Sequence, residues 1–449
     1  MRDATFDMTV GSPTKGIVRF ALPLVMGYIL QQMYLVADAA IVGRWVGVNA
    51  LAAVGASSSV MFLVLGFCNG VCAGFSIPVA QAFGGKQERL MRSFVANALR
   101  LALMLSLGIT VVACLSCGVI LRILNTPVEI FHDAAVFLLL QFLAIPFVMA
   151  YNLFACLIRA LGNSRKPFHF LVVASLLNIV LDIVFIVVCR MGVVGAGVAT
   201  CLAQAFAAWL CWRYIRSEMR VLVPQGSERR CNTHLMHQLL GAGIPMGLQF
   251  SITGIGIIML QSANNALGTS CVAAFTASMR VKYLFTCVFE NIGVAMATFC
   301  GQNVGAGRYD RVAAGVRSAL LVMLAYFVFT FAVIWPFADD MMLLFVQVDE
   351  GSAPAMEIVG KAALFMRVAC CFYPVLGVLT ILRYSIQGMG CAQLSVFSGV
   401  MEMLARCGVS LWLVPAYGFL GVCYGDPVAW LSADVFLIPA FLWAYSKKK

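Results

Sequence analysis

A chain of 449 residues that is 62% hydrophobic and only 11% charged cannot be a soluble domain, because soluble chains are nearer half apolar and a quarter charged. Its mean hydropathy of +0.95 is an excess spread over the whole length, which no single water-facing core could hide. The net charge of +11 would invite nucleic acid as a partner, but where those charges lie excludes it.

An apolar helix needs roughly 20 residues to cross a bilayer. Runs of that length or more stand at 16–42, 50–82, 90–124, 132–160, 167–189, 193–217, 235–265, 271–303, 311–338, 358–388, 393–415 and 419–445. Several exceed the requirement, so tilt or extension beyond the bilayer is expected. None alternates apolar and polar residues as barrel strands do, and lipid offers backbone groups no partner but each other. The prediction is an all-α membrane protein with twelve transmembrane helices. The first run is too long for the core of a signal peptide and is expected to remain.

With the amino terminus placed inside, loops on that side carry Arg2, Lys15, Arg19, Lys86, Arg89, Arg92, Arg159, Arg165, Lys166, Arg213, Arg216, Arg220, Arg229, Arg230, Arg308, Arg311, Arg317 and Lys447–Lys449. The opposite loops carry only Arg44, Arg122, Arg190 and Lys361. This asymmetry is the positive-inside signature and predicts both termini in the cytoplasm. The 17 cysteines lie mostly within the apolar runs, where a thiol serves as a small apolar group.

The chain repeats itself. Pro23 returns as Pro245, Ala52-Ala53 as Ala273-Ala274, and Gln81-x-x-Gly84 as Gln302-x-x-Gly305. Pro146 then matches Pro374, Gly162 matches Gly390, and Gly192-x-x-Gly195 matches Gly418-x-x-Gly421. The spacing grows midway by about seven residues, and the acidic loop near 339–357 is the expected place for them. Two copies of six spans enter the membrane in the same sense, giving two six-helix bundles related by a pseudo-two-fold axis along the membrane normal. The expected division is an N-lobe at 1–217, a cytoplasmic linker at 218–234 and a C-lobe at 235–449. Pro23 and Pro146 inside spans read either as packed kinks or as bending points during alternating access.

Polar groups inside spans cost about 2.5–3.5 kcal/mol per charge, which makes each a candidate for function. In the first copy these are Asp38, Asn178, Asp182 and Thr200, with Asn178 and Asp182 four residues apart on one helix face. Two carboxylates, an amide and a hydroxyl suit a proton pair or a Na⁺ site, or plain interhelical hydrogen bonding. The second copy lacks the counterpart of Asp38 and instead carries Arg280, Lys282, Glu290, Arg367, Arg383, Glu402, Arg406, Asp426 and Asp434. Glu402 and Arg406 are spaced to neutralise each other, and Asp426, the repeat counterpart of Thr200, is expected near an outer end where it meets water. The remaining basic residues would hold a carboxylate or phosphate on a substrate, or lock the lobe. His234-x-x-His237 sits in the polar linker and is read as solvated. No nucleotide-binding loop and no metalloprotease motif exists in the chain, so an electrochemical gradient is the expected energy source.

Met8-Thr9-x-Gly11-Ser12, Leu22-Pro23-Leu24, Gln31-Gln32-x-Tyr34-x-x-x-Asp38, Val42-Gly43-Arg44-x-x-Gly47 and Ala50-Leu51-Ala52-Ala53-Val54-Gly55 stand in order along the first copy. They continue through Gln81-x-x-Gly84, Arg159-Ala160-Leu161-Gly162-Asn163, Asn178-x-x-x-Asp182 and Gly192-x-x-Gly195-Ala196-Gly197 to Gly301-Gln302-Asn303-x-Gly305-Ala306-Gly307-x-x-Asp310-Arg311. This series resembles bacterial MATE (multidrug and toxic compound extrusion) transporters over nearly the whole chain. The resemblance implies a secondary antiporter, not an enzyme, that exports drugs or toxic organic compounds in exchange for H⁺ or Na⁺ by alternating access between two lobes. It implies cation coupling at Asp38, Asn178, Asp182 and Thr200, which would be metal ligands if the ion is Na⁺. A substrate cavity is expected at Gln32, Tyr34, Arg280, Lys282, Glu290 and Arg383. No cofactor is expected beyond the coupling ion. The expected partners are a small-molecule substrate and the lipid bilayer, without nucleic acid, for a monomer in the bacterial inner membrane. The seventh and tenth spans hold no Asp or Glu, unlike family members that use acids there. The intramembrane Arg and Lys motivate an alternative, a flippase or exporter of an anionic lipid-linked or metabolite cargo.

Overall fold

The computed structural model describes residues 5–124, 126–344 and 353–448. Arg2, Lys449 and the 345–352 portion of the acidic loop lie outside the described residues. Those described form helices and no strands. In chain order these are α1 (Pro13–Trp45), α2 (Val48–Gly84), α3 (Glu88–Ile123), α4 (Val128–Ala160), α5 (Arg165–Asp182), α6 (Gly192–Ser217), α7 (Thr233–Asn265) and α8 (Thr269–Gly305). There follow α9 (Tyr309–Leu343), α10 (Ala353–Cys371), α11 (Tyr373–Gly388), α12 (Ala392–Gly408), α13 (Val414–Tyr417), α14 (Phe419–Cys423) and α15 (Gly425–Lys448). Among the described residues eleven helical stretches are long and apolar enough to span a bilayer, or twelve if α10 and α11 form one span bent by 53°. The bend has a local cause: Pro374 has no N–H to continue the ladder across the break at Phe372.

The two copies match in detail. α1 and α7 each have 33 residues, and α2 and α8 each have 37. α5 and α12 both run into a π-helical turn, Ile183–Val188 and Val409–Leu413. After each π turn comes a glycine in the left-handed region, Gly192 at φ +59° and Gly418 at φ +58°, a conformation that only glycine adopts cheaply.

The compact units fall elsewhere than at the expected boundaries. One comprises Met1–Met8 and Leu22–Gly247, the other Thr9–Ala21 and Leu248–Lys449. The linker at 218–234 therefore belongs wholly to the first unit, as does the amino-terminal half of α7. Steric fit explains this. Gly70 and Gly74 of α2 face Gly243 and Gly247 of α7 so closely that a Cβ on Gly74 would sit 2.5 Å from Gly243 Cα. Small residues four apart on both helices let the backbones touch. The linker docks on α3 through Arg92 Nε to Glu228 Oε2 at 2.7 Å, and through Asn232 N–H to Asn97 Oδ1 at 3.1 Å. In the second unit, Arg308 and Arg311 donate to the carbonyls of Thr9 and Gly11 at 2.8 and 3.0 Å, which fastens 9–21 there.

Candidate functional site

Three helices of the first unit bring the expected side chains together. α1 supplies Tyr34 and Asp38 on one face, four residues apart. α5 supplies Asn178 and Asp182, which are 2% and 0% exposed, and α6 supplies Thr200. Asp182 is the last residue of α5 before the wider π turn, a local departure that often accompanies function. The Asn178 amide, oriented to satisfy both neighbours, donates to Asp182 Oδ2 at 3.1 Å and accepts from the Thr200 N–H at 3.2 Å. Thr200 Oγ1 donates to Ala196 O at 3.0 Å, and the Tyr34 phenol is within hydrogen-bonding reach of Thr200.

The carboxyls of Asp38 and Asp182 lie within hydrogen-bonding reach of each other. Each keeps a buried Oδ1 that no protein donor reaches. Among the described residues neither forms an ion pair with Lys or Arg. Two like charges so close, and away from water, need a cation between them. A proton shared by the pair, or a small cation held with the amide and hydroxyl oxygens, meets that need.

The residues expected to line a substrate cavity are dispersed. Tyr34 joins the acid pair, and Gln32 is half-buried on α1. Arg280 is exposed on α8. Lys282 is buried against Asp426, and Arg383 against Glu402, each in a direct ion pair. Arg383 Nε also donates to Ser398 Oγ at 3.1 Å. Glu290 accepts from the Tyr384 hydroxyl at 3.1 Å. Glu402 and Arg406 do pair, at 3.3 Å, but not in isolation: Arg406 reaches Asp426 at 3.0 Å as well. Asp426 corrects the expectation that it meets water. It is 4% exposed, because the start of α15 turns it toward α8 and α12. Lys282, Asp426, Arg406, Glu402 and Arg383 thus form one buried chain of alternating charge. Its long-range links join residues 144, 20 and 19 apart in sequence, which no local spacing reveals. Asp434 of α15, 7% exposed, has an Oδ1 without a partner.

A family model described as MatE matches the chain twice, at residues 23–184 and 245–412, one match to each copy of the repeat. Among relatives, the probable multidrug resistance protein YpnP of Bacillus subtilis is 28% identical over 91% of this chain and 88% of its own. The probable multidrug resistance protein NorM of Thermotoga maritima is 24% identical over 79% of this chain and 77% of its own. Of solved structures, a multidrug resistance MATE family transporter in an outward-facing conformation superposes with a TM-score of 0.88 at 23% identity, covering 98% of this chain and 97% of that one. A MOP superfamily transporter from Pyrococcus furiosus gives 0.88 at 22% identity with the same coverage.

Proposed function

The chain belongs to the MATE family of membrane transporters, and from that premise we propose that it is a secondary antiporter exporting drugs or other toxic organic compounds in exchange for H⁺ or Na⁺. The observation that carries this reading is the Asp38–Asp182 pair, with Asp182 buried and Asp38 half-buried, facing itself and free of any basic partner among the described residues. A cation bound there and a substrate bound to the transporter exclude one another, so a cation entering down its gradient drives the cargo out by alternating access. Asn178 holds Asp182 in place, and Tyr34 and Thr200 complete the oxygen set. The cation is cargo of the cycle, and no cofactor is required. The positive-inside charge pattern supports cytoplasmic termini in a bacterial inner membrane, and nothing in the scheme needs more than a monomer.

The anionic-cargo reading loses most of its motive, because Lys282, Arg383 and Arg406 are already committed to Asp426 and Glu402, which leaves Arg280, exposed on α8, of the basic residues in the expected cavity. Dye efflux from everted vesicles, energised separately by a pH gradient and by a Na⁺ gradient, tests activity and coupling ion together. Asp38→Asn is expected to abolish efflux while leaving insertion and expression intact. Normal gradient-driven efflux from that variant would overturn the assignment.

A further inference from the structure

The second unit contains a charge cluster that the scheme above leaves unused. Its cations are Lys282 on α8, Arg383 on α11 and Arg406 on α12, all at most 5% exposed. Asp426 and Glu402 pair with them directly. Two more acids feel the same Arg383 guanidinium: Glu290 from α8 and Asp434 from α15. The charged residue of α11 acting on Asp434 is Arg383, and that of α12 is Glu402. Neither the π turn Val409–Leu413 nor α14 carries a charged residue. Glu290 meets Arg383 and Tyr384 of α11, with Glu402 beyond. The ionic groups Arg367 with Asp339, and Lys361 with Glu357, on the neighbouring α9 and α10, are paired among themselves.

The cluster therefore holds three cations and four carboxyls. Asp426, Glu402 and Asp434 are buried and Glu290 is half-buried. Buried charge is tolerated best when balanced, and three cations against four carboxyls balance when one carboxyl is neutral. Asp426 and Glu402 already stand in direct ion pairs with Lys282, Arg383 and Arg406, which leaves Glu290 and Asp434. We propose that the second unit carries its own proton-binding site, in which Glu290 and Asp434 share one exchangeable proton across Arg383. The unpartnered, buried Oδ1 of Asp434 is where that proton sits in one state. When it moves to Glu290, the Asp434 carboxylate takes up the Arg383 charge instead. An alkali ion does not fit, because a metal needs a cage of oxygens and Asp434 is faced by a guanidinium. The site is independent of Asp38 and Asp182, and it would add a second titrating step to the transport cycle.

The test uses the full-length protein with Asp38→Asn and Asp182→Asn, which silences the first unit. Infrared difference spectra recorded across a pH titration should still show a C=O stretching band from a buried carboxylic acid. Adding Glu290→Gln and Asp434→Asn, amides that imitate the protonated acids, should remove it. Arg383→Gln deletes a cation, obliges a second carboxyl to hold a proton, and should raise the band about twofold. No titrating buried-acid band in the background protein, which has no substitution in the second unit, would overturn the proposal, as would a band indifferent to Glu290→Gln and Asp434→Asn. Transport surviving Asp38→Asn would overturn the antiport assignment instead and leave this band untouched.

Discussion

Asn178 does the positioning at the acid pair. It is 2% exposed and its amide bridges Asp182 of its own helix and the backbone of Thr200 on the next. A hydrogen bond to a charged group contributes about 1.5–3 kcal/mol net. Asn178→Leu keeps the volume but removes the donor, so Asp182 is no longer held toward Asp38. Gradient-driven efflux should fall at least ~10-fold, the equivalent of about 1.4 kcal/mol, with membrane expression unchanged. Dye efflux from vesicles matched for protein content checks this, and efflux within a factor of two of wild type would remove Asn178 from the site. At this scale the sequence was informative where a polar residue interrupts an apolar run. Asp38, Asn178, Asp182 and Thr200 all stand out in that way, and the structure gathers them. Tyr34 does not stand out, because an aromatic residue in a span reads equally well as packing. The partners of Lys282 and Arg383 were hidden for another reason: their carboxylates arrive from distant helices.

Between elements, the α2–α7 seam depends on four missing side chains. A Cβ on Gly74 would lie 2.5 Å from Gly243 Cα and 2.6 Å from the Ala242 carbonyl oxygen, and neither backbone atom can step aside. Gly74→Ala should therefore cost about 1–3 kcal/mol, the usual penalty of overpacking, and lower the thermal unfolding midpoint in detergent. Gly108→Ala, where nothing lies within 4 Å of the added carbon, is the control that should not lower it, since Ala favours a helix interior over Gly. The linker is held differently, by charge. Arg92 donates to Glu228 and holds that carboxyl below its ordinary value. Glu228 is thus the stronger acid when docked, so docking is favoured above the ordinary carboxylate range and loses that support as pH falls through the lowered value. The pair is only partly buried, so water still screens it and its contribution is about 0.2–1 kcal/mol. Glu228→Gln should speed amide exchange of 225–232 about twofold at neutral pH and flatten its dependence on pH. Unchanged exchange would show that the backbone bonds alone dock the linker.

For the whole chain, the repeat is the feature that composition and motif order made legible. Helix lengths, π turns and left-handed glycines agree between the copies because each copy solves the same packing problem in lipid. The division into units was not legible, since hydropathy marks where helices begin and end but not which half of a helix packs with which neighbour. Pro23 and Pro245 fall within two residues of the unit boundaries at 21/22 and 247/248, so α1 and α7 each serve both units. A consequence follows for cutting the chain. A fragment ending at residue 217 has all six spans of the first copy, yet it exposes Gly70 and Gly74 without the α7 glycines that cover them. It also strips α3 of the linker contacts to Arg92 and Asn97. A fragment ending at residue 247 keeps both sets. The longer fragment should therefore elute as a single monodisperse peak in detergent and resist proteolysis, while the shorter aggregates or is degraded, although it looks like the more natural half. Equal behaviour of the two would mean that the glycine seam contributes little to the stability of the first unit, and that its six spans suffice on their own.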